Sequence, residues 1–234
     1  MIPKIIHYCW LSNDPVPMQL QQYMQTWREK LPGYEFLLWN FDRFDIRRSA
    51  WVKEAFEAKK YAFAADYIRL YAVYRYGGIY MDMDVEVVRG FDELLDAPLM
   101  LGKETDQGIE AGVFGAERGH SYLKQCLDYY EGRHFIKPDG SMDTRTLPVI
   151  MFEALKCSGY ADKVKVYPAE YLTAKSHQTG KITATRNTRT IHHFAGSWVS
   201  SYQKLKMAFV RFIGQNNTRK LVKLKSQILR RRKS

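Results

Sequence analysis

The 234-residue sequence has few cysteines, no long apolar run and no signal-peptide pattern, so it is typical of a globular protein. Its three cysteines, Cys9, Cys126 and Cys157, are far apart and odd in number. They suggest neither a disulfide framework nor a CxxC zinc site, and predict free thiols in a reducing compartment. Because no run of about 18 apolar residues is present, we predict no transmembrane helix. The N-terminus does not resemble a signal peptide, so we expect a mature chain that starts at Met1 in the cytoplasm.

Acidic residues are missing from one part of the chain. The sequence has 36 Lys and Arg against 25 Asp and Glu, a formal net charge of +11. Residues 201–234 contain eleven of the basic residues and no acidic one, so residues 1–200 are balanced at 25 of each sign. A basic nucleic-acid-binding protein would have basic residues spread through its fold. That class is therefore disfavoured, and we expect no nucleic-acid partner.

The basic tail also carries apolar residues at helical spacing. They are Leu205, Ala208, Phe209 and Phe212, then Leu221, Leu224 and Ile228. Apolar stripes flanked by Lys and Arg are typical of helices that lie in the interface of an anionic membrane. We therefore predict one domain over residues 1–200 and a basic amphipathic helical tail over 201–234 that attaches peripherally to a membrane. A helical hairpin packed on the domain, or a nucleic-acid role for the tail, is the alternative.

Hydrophobic periodicity and turn residues predict an α/β domain. Strands are expected at residues 3–10, 35–39, 79–81, 85–88, 99–102, 112–116, 164–167 and 190–194, and helices at 15–30, 52–58, 62–76, 121–132 and 148–156. The βαβ order of the first elements favours a parallel sheet covered by helices.

The most specific chemical signal is an apolar strand that ends in Asp82-Met83-Asp84. Side chains alternate along a strand, so both aspartates point to the same side. Two converging carboxylates repel each other unless a hard divalent cation neutralises them, and such a cation also binds a diphosphate. The alternative is a pair of solvated carboxylates at a strand end. The apolar neighbours Met81, Met83 and Val85 disfavour it.

Two further polar groups lie in apolar surroundings. Asp66 and Arg69 share one face of a helix that is apolar nearly all round, so both need partners. An arginine suits a phosphate and an aspartate suits sugar hydroxyls, although a surface ion pair is the simpler interpretation. His192 and His193 follow each other on a late strand, so at most one imidazole faces a given metal site. A histidine with a purely structural role is the alternative there.

Four motifs in sequence order resemble the DXD-containing glycosyltransferases of family 32. They occupy residues 5–10, 64–69, 76–84 and 192–198. That family includes capsular polysaccharide enzymes and initiating mannosyltransferases. The resemblance extends from residue 2 to about residue 200. It implies a GT-A fold, which is a Rossmann-like nucleotide-sugar-binding domain with a mixed sheet, and transfer with retention of anomeric configuration.

The resemblance also implies roles for single residues. Trp10 matches the aromatic residue that stacks on the nucleotide base. Asp66 and Arg69 match the pair that holds the donor. Asp84 matches the direct metal ligand, and Asp82 matches the aspartate that contacts ribose or sugar hydroxyls beside the metal.

The resemblance also bears on four further residues. The segment His193-Phe194-Ala195-Gly196 looks like the His-aromatic-x-Gly that supplies a metal-binding imidazole in lipopolysaccharide galactosyltransferases, so His193 is preferred to His192. Ser197 and Trp198 match a Ser-Trp that closes over the diphosphate. Glu110 stands where relatives often carry the Asn of Asn-x-Gly. It either contacts the transferred sugar or is a surface acid.

Together these expectations predict a retaining hexosyltransferase that depends on Mn²⁺ or Mg²⁺. Its predicted catalytic residues are Asp82, Asp84 and Arg69. The donor is a nucleotide-sugar, with a UDP-sugar favoured. The acceptor is a saccharide or lipid-linked saccharide in capsular or other surface polysaccharide synthesis. The rival is a phosphohydrolase of the haloacid dehalogenase type, in which Asp82 would be the nucleophile. The downstream Thr/Ser, Lys and paired-Asp motifs of that class are not evident.

Overall fold

The computed structural model describes residues 1–105, 108–157 and 164–195. Its elements are β1 (Ile5–Cys9), α1 (Met18–Lys30), β2 (Glu35–Trp39), α2 (Ala50–Glu57), α3 (Tyr61–Tyr76), β3 (Gly78–Met81), β4 (Val85–Val87), β5 (Leu99–Thr105), β6 (Gly108–Ile109), β7 (Val113–Ala116), α4 (Ser121–Asp128), α5 (Leu147–Cys157), β8 (Val166–Tyr167), α6 (Ala169–Leu172) and β9 (Thr190–His192). Two short 3-10 helices occupy Ile46–Arg48 and Asp92–Leu94. The predicted tail at 201–234 lies outside the described residues.

The main sheet is mixed, with the order β2-β1-β3-β7-β5-β6, and β8 pairs with β5. Strand β1 is parallel to both β2 and β3, which confirms the βαβ prediction for the first half of the chain. Beyond β3 the pairing is mixed, because β7 pairs antiparallel with β3 and with β5 while β8 is parallel to β5. Strands β4 and β9 form a separate two-stranded antiparallel sheet.

Alternation along β3 divides the apolar core between the two faces of the sheet. Ile79 and Met81 point into a cluster with Trp27 of α1. Tyr80 points the other way, into a cluster that also contains Ile68 of α3 and residues of α2, α4 and α5. Because α3 is buried on nearly all sides, its apolar composition reflects a central position between the sheet and the other helices.

His7 connects the end of α3 to the sheet. Its Nε2 lies 2.8 Å from the Gly77 carbonyl oxygen, and the indole of Trp39 donates to Nδ1 at 3.0 Å. Burial lowers the pKa of His7 to about 4, so the ring is neutral and Nε2 carries the proton. Gly78 has a φ of 106°, and a Cβ there would lie 2.6 Å from the Ile5 carbonyl oxygen. These residues therefore fix β3 beside β1.

Some predicted boundaries differ from the observed ones. The helix expected at 121–132 ends at Asp128 and continues as turns. The strand expected at 190–194 ends at His192, and Phe194 has a φ of 52°, which a strand does not accommodate. Helix α6 and strand β6 were not predicted, because runs of four and two residues carry no readable periodicity. Across the described residues, no helix combines the length and the apolar character needed to cross a membrane.

Candidate functional site

The predicted aspartates lie immediately after β3, in the turn that leads into β4. The backbone N–H of Asp82 donates to Gly112 O at 2.8 Å, and Val85 N–H donates to Asp82 O at 3.1 Å. These bonds tie the turn to the segment before β7. Met83 and Val85 are buried, as the apolar pattern predicts. The two carboxylates therefore occupy a rigid position with limited exposure.

A histidine completes this group from a distant part of the sequence. Pairing of β4 with β9 places His192 opposite Val85. His192 Nε2 lies 3.2 Å from Asp84 Oδ1 and 3.9 Å from Asp82 Oδ2. One ligand atom from each of Asp82, Asp84 and His192 can be chosen so that all lie within 4.8 Å of one another. We refer to these three residues as the Asp-Asp-His cluster.

The preference for His193 is corrected by the structure, which brings His192 to the aspartates instead. Neighbouring side chains point to opposite sides, as expected for the end of a strand. His193 stacks on Tyr23, with ring centroids 4.3 Å apart, and its Nε2 lies 2.8 Å from Glu86 Oε2. Its backbone N–H, not its ring, contacts Asp84, donating to the main-chain carbonyl at 3.0 Å.

Arg69 links Asp82 to α3. Its Nη1 donates to Ala111 O at 2.9 Å and lies 3.3 Å from Asp82 Oδ2, while Nη2 lies 3.4 Å from Asp66 Oδ1. The guanidinium stands over the Tyr80 ring, 4.6 Å from its centroid, and the Tyr80 hydroxyl donates to Asp82 Oδ1 at 2.8 Å. The structure therefore brings the predicted residues Asp66, Arg69 and Asp82 together, with Arg69 in contact with both aspartates.

Asp66 is a buried carboxyl in this network with a raised pKa. Burial raises its pKa to about 6, and Asp82 adds to the increase, while Arg69 opposes it. The surface ion-pair alternative for Asp66 and Arg69 does not hold, because both side chains are largely buried. The pKa of Arg69 is raised well above its usual value. Burial disfavours the charge, but Asp82, Tyr80 and Asp66 outweigh that effect.

Glu110 is buried at 2% exposure, so the surface-acid alternative is wrong. Its Oε1 lies 3.2 Å from His192 Nδ1 and accepts the Gly112 N–H at 2.5 Å, and its Oε2 accepts the Thr173 hydroxyl. Burial opposes ionisation of Glu110, but His192, Thr173 and Gly112 lower its pKa below the usual value. The carboxylates Glu110 and Asp84 in turn raise the pKa of His192 well above its usual value, against the effect of burial.

Of the remaining predicted residues, Trp10 lies in the part of the chain that the structure describes, and Ser197 and Trp198 do not. Trp10 is partly buried where the chain leaves β1, and its indole donates to Asp14 O at 2.9 Å. Ser197 and Trp198 lie outside the described residues, so their expected place over the diphosphate remains a prediction.

Several residues at this site were missed by the sequence analysis. Tyr80 lies two positions before Asp82, so strand alternation alone indicates that they share a side. Glu104 on β5 is half-buried, and burial with the nearby charge of Glu110 raises its pKa to about 7. Thr173, the residue that follows α6, contacts Glu110 from more than sixty positions away in sequence. Only the three-dimensional fold reveals the last two contacts.

The chemistry of the Asp-Asp-His cluster fits a divalent metal ion. Two carboxylate oxygens and one imidazole nitrogen are a donor set that Mn²⁺ accepts readily, and Mg²⁺ accepts the oxygens. Asp84 Oδ2 already accepts the Ala195 N–H at 2.7 Å, which leaves Oδ1 directed toward His192. Burial opposes ionisation of Asp84, yet His192 and the Ala195 N–H lower its pKa, so the carboxylate is charged at neutral pH.

Comparisons with known proteins agree with this picture. The sequence profile of the glycosyltransferase sugar-binding region containing DXD motif matches residues 17–100. Inositol phosphoceramide mannosyltransferase 3 of Schizosaccharomyces pombe is 33% identical over 130 residues, which are 54% of this chain and 36% of the relative. Mannosyl phosphorylinositol ceramide synthase CSH1 of Saccharomyces cerevisiae is 33% identical over 131 residues, 54% of this chain and 35% of the relative. The chain thus spans about a third of the length of these curated relatives.

Solved structures match a larger share of this chain than the curated relatives do, although their sequence identity is lower. The PaToxG glycosyltransferase superposes with a TM-score of 0.52 at 17% identity, covering 69% of this chain and 72% of that one. A glycosyltransferase involved in the glycosylation of the major capsid of PBCV-1 gives a TM-score of 0.50 at 11% identity, covering 87% and 98%. The GT-A fold and the resemblance to DXD-containing glycosyltransferases, both predicted from the sequence, are confirmed. The phosphohydrolase alternative finds no support in these matches.

Proposed function

We propose that this chain, which carries the DXD-containing sugar-binding region of glycosyltransferases on a GT-A fold, is a metal-assisted retaining hexosyltransferase. Its donor is a nucleotide-sugar, with a UDP-sugar favoured, and its acceptor is a saccharide or a lipid-linked saccharide. The observation that carries this proposal is the convergence of Asp82, Asp84 and His192 at the carboxyl end of β3. This edge of the sheet is where open α/β folds bind nucleotides.

The residues of the cluster have distinct proposed tasks. Asp84 and His192 would hold the metal ion directly, and Asp82 would assist them. When bound, such an ion neutralises the charge that develops on the leaving nucleoside diphosphate. Arg69 holds Asp82 through one nitrogen and Asp66 through the other, so it orients the carboxylates and brings positive charge to the site.

Donor recognition is proposed for residues around this cluster. Trp10 follows β1, the strand parallel to and beside β3. This position supports the proposal that its ring stacks on the nucleotide base. Asp66 offers a carboxylate to ribose or sugar hydroxyls, and Ser197 and Trp198 would close over the diphosphate. We assign no side chain as a nucleophile. We propose instead that the acceptor hydroxyl attacks the anomeric carbon as the bond to the diphosphate breaks, and that an oxygen of the departing phosphate takes the hydroxyl proton.

The acceptor proposal follows the relatives' names and the basic tail. The two yeast relatives are named for mannosyl transfer to inositol phosphoceramide, a lipid. Their names favour the lipid-linked acceptor, and surface polysaccharide synthesis stays the prediction for the pathway. Residues 201–234, with eleven basic residues, would hold the enzyme at an anionic membrane where such an acceptor lies.

A panel of nucleotide-sugars tests the proposal. Thermal unfolding is followed with Mn²⁺ and, in turn, UDP-glucose, UDP-galactose, UDP-N-acetylglucosamine and GDP-mannose. A true donor stabilises the folded state by mass action, so it raises the midpoint, and EDTA abolishes the shift. Release of the nucleoside diphosphate in the presence of that donor then confirms turnover. If no nucleotide-sugar shifts the midpoint while phosphomonoesters are hydrolysed, the phosphohydrolase alternative replaces this proposal.

A further inference from the structure

Both oxygens of the Glu110 carboxylate contact protein groups. Oε2 accepts the hydroxyl hydrogen of Thr173, and Oε1 accepts the backbone N–H of Gly112 at 2.5 Å and faces His192 Nδ1 at 3.2 Å. The side chain is also buried at 2% exposure. A group that already accepts three hydrogen bonds and has almost no exposed surface is poorly suited to contact a sugar hydroxyl.

The ring of His192 is restrained on several sides. Glu110 lies at Nδ1, Asp84 lies at Nε2, and the Phe194 ring stacks on its face with a centroid distance of 4.0 Å. The backbone of Gly112 approaches so closely that a Cβ there would lie 2.5 Å from the His192 Cε1. The orientation of the imidazole relative to the aspartates is therefore set by its neighbours.

We infer that Glu110 is a positioning residue, which holds His192 in the orientation and tautomer that direct Nε2 toward Asp82 and Asp84. An ionised carboxylate only accepts hydrogen bonds, so the Nδ1 that faces it carries the ring proton. The lone pair of a neutral ring is then on Nε2, which points to the aspartates. A carboxylate behind a metal-binding imidazole is a recurrent way to orient the ligand. This inference rests on the proposed metal role of the cluster.

The direct test is Mn²⁺ binding by calorimetry to the full chain, with no nucleotide present. In Glu110→Gln, the amide keeps the volume but offers an N–H₂ group in place of one acceptor, so the ring is no longer held in one tautomer. We expect Mn²⁺ affinity to fall about 10- to 100-fold, the usual effect of removing such a partner. A residue that only contacts the sugar would leave Mn²⁺ affinity unchanged, and that result would overturn the inference.

A matched control lies one residue along the chain. His193 Nε2 faces Glu86 Oε2 at 2.8 Å, which is the same type of carboxylate–imidazole contact on the opposite side of the strand end. Glu86→Gln therefore makes the same chemical change away from the Asp-Asp-His cluster. We expect its Mn²⁺ affinity to stay within twofold of that of the wild type. An equal loss in both variants would contradict a role specific to Glu110.

A double-mutant cycle separates positioning from simple charge loss. Glu110→Gln also removes a negative charge near the cluster, and that effect persists whether or not the imidazole is present. In a His192→Asn background, a positioning effect disappears, so Glu110→Gln should change the residual Mn²⁺ affinity by less than twofold. A loss of the same size in both backgrounds would overturn the inference.

A second variant keeps the test decisive if Glu110→Gln does not fold. Thr173→Val removes the hydroxyl that holds Oε2 without touching the imidazole, and we expect a several-fold loss of Mn²⁺ affinity. No change would again contradict the inference. If Asp84→Ala loses the Mn²⁺ affinity of the wild type but Glu110→Gln and Thr173→Val keep it, the proposed function stands and this inference fails. If the wild type binds Mn²⁺ no better than Asp84→Ala, the metal site itself fails and both are refuted.

Discussion

Replacing His7 by glutamine tests the buried junction that fixes β3 beside β1. In the folded protein burial lowers the pKa of His7 to about 4, against a usual value of 6.5. The folded state therefore binds fewer protons than the unfolded state between these values. The contribution of the neutral ring is fully present above pH 6.5 and is lost as pH falls toward 4. Protonation would also place a donor on Nδ1, which now accepts from Trp39.

The magnitude follows from the difference between the two pKa values. Between pH 7.5 and 4.5, linkage gives a loss of about 2.5 kcal/mol from this single group. His7→Gln does not titrate, but it loses the bonds to Gly77 and Trp39, so we expect it to be less stable than the wild type at pH 7.5 by about 1–3 kcal/mol. The stability gap between the two proteins should then shrink as pH falls.

Urea unfolding at a series of pH values measures this gap directly. Other titrating groups, including Asp66 and Glu110, are common to both proteins, so their contributions cancel in the difference. The free energy of unfolding of the wild type minus that of His7→Gln should fall by about 2.5 kcal/mol between pH 7.5 and 4.5, and it changes sign where the starting gap is smaller than this. A gap that stays constant over this range would show that His7 titrates normally, and that the neutral junction deduced from its burial is incorrect.

Four further outcomes are expected at the proposed site and the tail. Asp84→Ala should abolish sugar transfer with little loss of thermal stability, as should EDTA with the wild type; full transfer in EDTA by metal-stripped protein would refute the metal role. Trp10→Ala should weaken donor binding by about 1–3 kcal/mol in calorimetry, the scale of base–aromatic stacking. Gly112→Ala should displace His192 or Glu110, lowering Mn²⁺ affinity and destabilising the fold by about 1–3 kcal/mol in urea unfolding. Truncation after Ser200 should remove binding to anionic liposomes in flotation, whereas equal binding to neutral liposomes would refute electrostatic attachment.

The parts of the fold that the sequence predicts well are those set by local patterns. Strand β2 matches its predicted bounds, and α3 differs by one residue at its start. The glycines at 77 and 78 mark the end of α3, and the apolar run before Asp82 marks β3. In each case period and turn chemistry within about twenty residues determine the element, so no knowledge of tertiary contacts is needed.

The parts that sequence reasoning predicts poorly depend on long-range pairing. The choice between His192 and His193 is decided by the register of β9 on β4, which places His192 opposite Val85. A shift of one residue would present His193 to the aspartates instead, and nothing local distinguishes the two. Glu110 likewise reads as an ordinary acid in sequence, because its partners Thr173 and His192 are more than sixty positions away.

The mixed sheet explains why the proposed site forms at one edge. Strands β1 and β3 are parallel, so the residues that follow them, Trp10 and Asp82, leave the sheet at the same edge. Strand β7 is antiparallel to β3, so its starting end lies at that edge too and brings Glu110 and Gly112 there. A wholly parallel sheet would place the start of β7 at the opposite edge, about 10–15 Å away for strands of this length. The change of direction between β3 and β7 is therefore what allows Glu110 to meet His192 beside the aspartates.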